Sequence, residues 1–242
     1  MRNYFVPVSL VFLATVFLGS SESIGLPDCS ADMKPTDKKY DCHISLKDLL
    51  PTQFNVGLAE VAKKQKVISD LNEGDRKDYL RDHPIPIVIG PHGKFYATDH
   101  HHLAVALFFL HIKQAYGKII KNWSDETEDN FWKKMVDAKE PNDAHYVWLF
   151  DLGEGPKKPK DLPQSISELS KKDDPYRSFA EEVRDAGGYS KKDLESVFFV
   201  EFKWADFFRT RVEIGPKALA KALELAHSDA ASKLPGFIRT KR

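Results

Sequence analysis

Apolar positions along the chain change period several times, and each change predicts an element. Residues 44–57, ISLKDLLPTQFNVG, read as a short strand, a turn and a loop. Leu58, Val61, Ala62, Gln65 and Ile68 then recur at helical spacing between Gly57 and Leu71, with Lys63, Lys64 and Lys66 mostly on the other side. Ile85, Ile87 and Ile89 alternate with Pro86 and Val88, GPHG follows as a turn, and Lys94 to Thr98 return as a second strand. Pro86 places the first of these strands at a sheet edge, because proline has no N–H for a ladder. Leu103, Leu107 and Leu110 with Ala104, Phe108 and Ile112 predict a helix ending near Gly117. Glu126 to Ala138 predicts another, carrying Phe131, Trp132, Met135 and Val136, and HYVWLFD (145–151) reads as a buried strand.

Beyond residue 152 the pattern is helical. GEGPKKPKDLPQ (153–164) is a loop and the best candidate boundary. Asp174 reads as an N-cap, with Pro175 at the first helical position and Gly187 at the exit. Ser190 and Asp193 resemble a capping box ahead of the apolar helix through VFFVEFKWADFFRTRV. Pro216 opens a last helix whose stripe is Leu219, Ala222, Leu223, Ala226 and Ala230. The fold class is therefore α+β: a small mixed α/β part over 24–152, a linker at 153–164, and a helical part over 165–242 packed on the first.

The first 23 residues stand apart. Arg2 precedes an uncharged apolar run, Phe5 to Gly19, and Ser20, Ser21 and Ser23 follow it. This is the layout of a secretory signal peptide, cleaved near residue 23. The run is shorter than the ~20 residues that span a bilayer; the alternative is an uncleaved anchor. A secreted or periplasmic location follows, with no membrane span after cleavage. Cys29 and Cys42 then read as one disulfide, the alternative being two free thiols. Acidic and basic residues number 36 each, and removing Arg2 and Glu22 leaves the balance at zero. A protein that coats nucleic acid by charge alone is thereby disfavoured. The 42% hydrophobic content suffices for one core.

The candidate chemistry lies in FYATDHHHLAVALFFL, residues 95–110, where a strand gives way to a helix at Asp99, His100, His101 and His102. Three readings stand side by side. A metal is disfavoured because three consecutive helical positions fan over about 200° and cannot converge on one ion, and no further ligand is evident. A polar helix start with His100 on the core side is the plain reading. An anion site is the leading one: the first amides of a helix lack internal acceptors and carry partial positive charge. Thr98 or Asp99 is the N-cap candidate. On this reading His101, His102 and Asp99 are the catalytic candidates and His100, Thr98 and Gln53 the ligand-binding ones. His101 and His102 should be replaceable with little loss of fold, and where imidazolium charge helps hold the anion, its loss would weaken binding as pH rises past about 6.5.

The stretch resembles the ParB/sulfiredoxin superfamily, whose members carry an acid and paired histidines, or a related motif, at a strand-to-helix junction. Asp99, His101 and His102 match it; His100 stands where glycine is common and Leu103 where arginine is common. The nearer resemblance is to the DHHH-motif branch of ParB-like nucleases. It is carried by Pro51, Thr52, Gln53, Val56, Gly57 and Val61, by the block from 84 to 107, and by Glu201, Phe202, Trp204, Ala205, Asp206 and Arg209. The resemblance implies a ParB/sulfiredoxin-like fold over roughly 43–235 and a phosphate-holding junction, with Glu201, Asp206 and Arg209 in support. Two function classes follow. One is an exported hydrolase of phosphodiesters or phosphate esters, acting on a phosphate-containing ligand or nucleic acid. The other is a secreted binding protein for a phosphorylated or acidic ligand. A divalent metal is compatible with the first but not indicated, and no helix-turn-helix supports a partition-type DNA-binding role.

Overall fold

The computed structural model describes residues 26–136, 146–192 and 199–239. The signal-like start, His145 and Asp193 fall outside them. Five strands form one mixed, curled sheet: β1 (Cys42–Ser45), β2 (Leu49–Pro51), β3 (Ile85–Ile89), β4 (Phe95–Ala97) and β5 (Gln114–Asn122), in the order β1-β5-β3-β4-β2. The helices α1 (Leu58–Asp70), α2 (Glu73–Asp82), α3 (His101–Phe109) and α4 (Glu128–Val136) belong to the first half. The second half holds α5 (Ile166–Leu169), α6 (Pro175–Asp185), α7 (Val200–Arg209) and α8 (Ala218–Ala226). The class is α+β, as the pattern predicts.

β3 and β4 pair antiparallel as the hairpin reading requires. β3 is nevertheless the central strand, not an edge. Pro86 is tolerated there because it sits beside the start of the strand, and its carbonyl still accepts the Thr98 N–H at 3.0 Å. The helix expected to run to Gly117 stops at Phe109, and His111 takes a positive φ of 56°. Gly117 lies instead in β5, where a Cβ would come within 2.9 Å of Ile87 Cδ1 and 3.0 Å of Cys29 Sγ. Residues 146–151 form no strand; they run extended, with Trp148 N–H donating to the Thr52 carbonyl at 2.9 Å and one bridge from Phe150 to Pro156. α2 is an element the periodicity does not signal, since it is polar nearly all round and buries only Leu80.

Two main cores form. One lies between the sheet and α1 and α3, built on Ile44, Leu49, Ile68, Ile85, Ile87, Leu107 and Ile119. The other lies among α6, α7 and α8, built on Phe179, Val183, Tyr189, Trp204, Phe208 and Ala222. Asp174 caps α6 as expected, accepting the Tyr176 N–H at 3.0 Å, with Pro175 at its first position. Cys29 and Cys42 are disulfide-bonded. The bridge holds the segment before β1 against it, where His43 and Pro27 also pair. Closing this short loop is worth about 3 kcal/mol on the chain-entropy model. Urea unfolding of Cys29→Ser/Cys42→Ser is expected to show a loss of that order, and an unchanged midpoint would remove the bridge from the fold's stability.

Candidate functional site

The topology itself builds the site. β2 and β4 are adjacent and parallel, so the chain leaves both at the same end of the sheet. After β2 comes the loop 52–57 and then α1; after β4 comes the junction 98–100 and then α3. α6 starts at the same place, because Val56 and Asp173 bridge: Val56 N–H donates to the Lys172 carbonyl and Asp174 N–H to that of Val56. Leu58 N–H donates to Asp173 Oδ1 at 2.9 Å, and Glu60 N–H to Ser178 Oγ at 3.2 Å. Gly57 permits the approach: a Cβ there would lie 2.3 Å from Ser178 Oγ. Three helix starts, those of α1, α3 and α6, thus converge beyond the carboxyl ends of two parallel strands, a common ligand position in α/β sheets.

At the junction, His100 takes left-handed backbone angles, φ 60° and ψ 26°, and precedes the first turn of α3. The N-cap is therefore His100, neither Thr98 nor Asp99. Asp99 is exposed, and its Oδ1 accepts the His100 N–H at 2.7 Å. Thr98 N–H donates to Pro86. Since Ala104 N–H makes the first helical bond, to the His100 carbonyl, the amides of His101, His102 and Leu103 precede any intrahelical acceptor.

The chain turn at His100 reverses the expected sidedness of the histidines. His101 and His102 are buried, at 3% and 8% exposure, while His100 is half-buried. His101 Nε2 accepts the Thr52 N–H at 3.1 Å, and the ring also hydrogen-bonds the Ala97 carbonyl. His102 Nε2 accepts the Gly57 N–H at 3.0 Å. Both rings therefore fasten α3 to the loop 52–57. Burial pulls His101 down to about 4, with Asp99 acting the other way, and holds His102 well below its usual range, helped by Arg177 and Lys64. Neither carries charge at neutral pH, so imidazolium charge from this pair does not serve an anion. His100 Nδ1 is buried without a hydrogen-bond partner.

Glu60, in the first turn of α1, lies 3.3 Å from His102 Nε2. Burial and then the Glu181 charge raise it to about 7. With His102 uncharged, the contact is not an ion pair, and burial favours the neutral form of the acid. Arg177, in the first turn of α6, is 6% exposed and stacks on Phe202 with its guanidinium carbon 3.3 Å from the ring centroid. Burial works against its charge, while Glu60, Glu201, Asp174 and Asp99 favour it. Sequence reasoning passes over both residues. Arg177 had a legible signal: it stands three positions before Ala180 on the buried stripe of an otherwise amphipathic helix.

The remaining site candidates are dispersed. Gln53 is buried and its Nε2 donates to the Asn55 carbonyl at 2.7 Å, shaping the loop. Glu201 pairs with Arg184 at 2.8 Å and Lys191 at 2.7 Å. Arg209 holds Asp174 with two bonds, at 3.0 and 2.6 Å, and touches Asp206 more loosely at 3.5 Å. Asp206 and Arg209 therefore act on the N-cap of α6. Among the described residues no group of three or more His, Cys, Asp or Glu side chains is placed to hold a metal ion. A groove of about 1260 Å³ lined by His43, Phe95, Phe108, His111 and Ser165 lies elsewhere, and none of residues 98–102 lines it. The shifted histidines and Glu60 converge on the junction instead, which is where perturbed groups mark function.

With this geometry in place, comparison with known proteins is decisive for kinship. The family described as "Putative ParB-like nuclease" matches residues 42–210. The chain belongs to that family. A crystal structure of protein Atu1540 from Agrobacterium tumefaciens is similar, at 34% identity and a TM-score of 0.71, covering 82% of this chain and 96% of that one. Among curated proteins none matches. The ParB-like kinship agrees with the mixed α+β fold. His100 occupies a left-handed position, which glycine adopts without strain. The described helices include none long and apolar enough to cross a membrane.

Proposed function

We propose that the protein is an exported ParB-like hydrolase of phosphodiester or phosphate-ester bonds, with its anion site at the junction 98–102. The observation that carries this is the start of α3: three first-turn amides, the exposed Asp99 carboxylate and a half-buried His100 ring with an unpaired nitrogen stand together. The amides stabilise negative charge on a bound phosphoryl group. His100 acts as general acid or base, and Asp99 fixes its backbone N–H. His101, His102 and Gln53 hold the frame. Export rests on the apolar start of the chain and on the disulfide.

Turnover of nucleic acids and phosphate esters by the secreted protein tests the reading. His100→Gly is the most telling variant, since glycine suits the left-handed backbone while removing the ring. It should lower kcat by about 10²–10⁴-fold with little change in stability; full activity in that variant would exclude His100 from the chemistry. Intact mass should place the N-terminus near residue 24, and a chain beginning at Met1 would contradict export by cleavage. A second reading, a binding protein without turnover, is favoured by the neutral, fully engaged state of His101 and His102. It holds if phosphate binds at the junction and no substrate in the panel is cleaved.

A further inference from the structure

Every acid that acts on Arg177 is engaged elsewhere. Asp174 is held by both branches of Arg209. Glu201 is paired by Arg184 and Lys191. Asp99 receives the His100 N–H. Glu60 contacts His102 and, at 3.7 Å, Lys64. Arg177 is left with Nε and Nη1 buried and without hydrogen-bond partners. An unpaired buried donor costs about 1–3 kcal/mol, and more on a charged group. A neighbouring arginine, Arg209, shows that the fold can satisfy a guanidinium here when it needs one for structure alone.

We propose that Arg177 is the cation of the anion site: its guanidinium binds the phosphoryl oxygens of a phosphate ester held at the start of α3. This deepens the functional reading above and rests on it. The location fits, because Arg177 lies in the first turn of α6, one of the three converging helix starts. Its charge is felt at His101 and His102, and that of Asp99 at Arg177. Arginine presents a planar fork of donors that matches a tetrahedral oxyanion. The position after the paired histidines, commonly arginine in the motif, is here Leu103, buried in the core at 4% exposure. A cation from the helical half takes its place, so neither half holds the anion alone. Glu60, raised to about 7, offsets the Arg177 charge only in part near neutral pH.

Calorimetric titration of the full chain with inorganic phosphate tests the assignment. Arg177→Lys keeps the charge but loses the fork and should bind about tenfold more weakly or worse; Arg177→Met should not bind detectably. Arg177→Met should also match or exceed the wild type in thermal stability without phosphate, because a buried unpaired charge is gone. Unchanged phosphate affinity in Arg177→Met overturns the proposal while leaving the junction as an anion site. So does a fall in melting temperature that is equal with and without phosphate. No phosphate binding by the wild type overturns both readings. Should the variants fail to fold, soaking wild-type crystals with tungstate decides. Anomalous density within hydrogen-bond reach of the Arg177 guanidinium supports the proposal, and a soak showing none there overturns it.

Discussion

Replacing His102 with alanine is expected to destabilise the protein by about 3–5 kcal/mol, and His101→Ala by a similar amount. Each ring fills a buried position and each Nε2 is the acceptor of a buried backbone N–H, that of Thr52 for His101 and of Gly57 for His102. Truncation leaves that N–H unsatisfied, about 1–3 kcal/mol, and opens a cavity whose cost adds to it. Against a typical total of about 5–15 kcal/mol this is a large share. The consequence reaches the site, because the same bonds set the loop 52–57 against α3. His102→Gln can restore an acceptor and should recover part of the loss. Urea unfolding of the three variants measures this directly. A loss below about 1 kcal/mol for His102→Ala would show that the loop does not depend on the ring. The outcome also bears on activity assays: inactivity of His101→Ala or His102→Ala would reflect a misplaced junction, whereas His100→Gly tests chemistry on an intact one.

The sequence made the junction legible but not which histidine faces where. Reading residues 100–102 as continuous helix put His100 on the core side and left His101 and His102 replaceable. One residue with φ of 60° rotates the whole assignment, so that the two histidines expected to be catalytic become frame and His100, placed on the core side, comes toward the surface. Apolar periodicity carries no record of a left-handed turn at a non-glycine residue. The helices with a one-sided stripe, α1 and α8, were legible for the opposite reason, since burial of one face follows the period directly, and α6 was legible from its caps. α2 was silent because it buries little. β5 was masked by its position directly after α3, and residues 146–151 looked like a strand because an extended apolar segment can be buried without a continuous ladder. Arg177 and Glu60 could not be joined to the histidines from sequence. Their proximity comes from the Val56–Asp173 bridge and the Gly57–Ser178 approach, pairings across more than a hundred residues.

The opposed shifts of the histidines and Glu60 give stability a pH dependence with a definite sign. His101 and His102 have folded values below 6.5, so the unfolded chain takes up their protons first as pH falls. Their contribution is full above about pH 6.5 and is lost as pH drops toward 4. Glu60 runs the other way. Its folded value is raised from 4.5 to about 7, so its contribution is full below 4.5 and is lost as pH rises toward 7. Below pH 6.5 the unfolded state therefore binds more protons than the folded one through the histidines, and above 4.5 it binds one fewer through Glu60. The histidines therefore make stability rise with pH in this window, and Glu60 opposes them by up to one proton, about 1.4 kcal/mol per pH unit. The groups that face Glu60 are Glu181 and Arg177 from α6, Lys64 from its own helix, Glu201 from α7 and His102 from α3. Glu60→Gln keeps the shape and a donor toward His102 but removes the opposing titration. Its stability should rise with pH more steeply than that of the wild type over the same window, by about one proton or ~1.4 kcal/mol per pH unit, so that it unfolds more readily than the wild type at pH 4.5 relative to 6.5. Other titrating groups are common to both proteins and drop out of the comparison. Parallel urea-derived stability curves for the two would mean that Glu60 is ionised like an ordinary surface carboxylate.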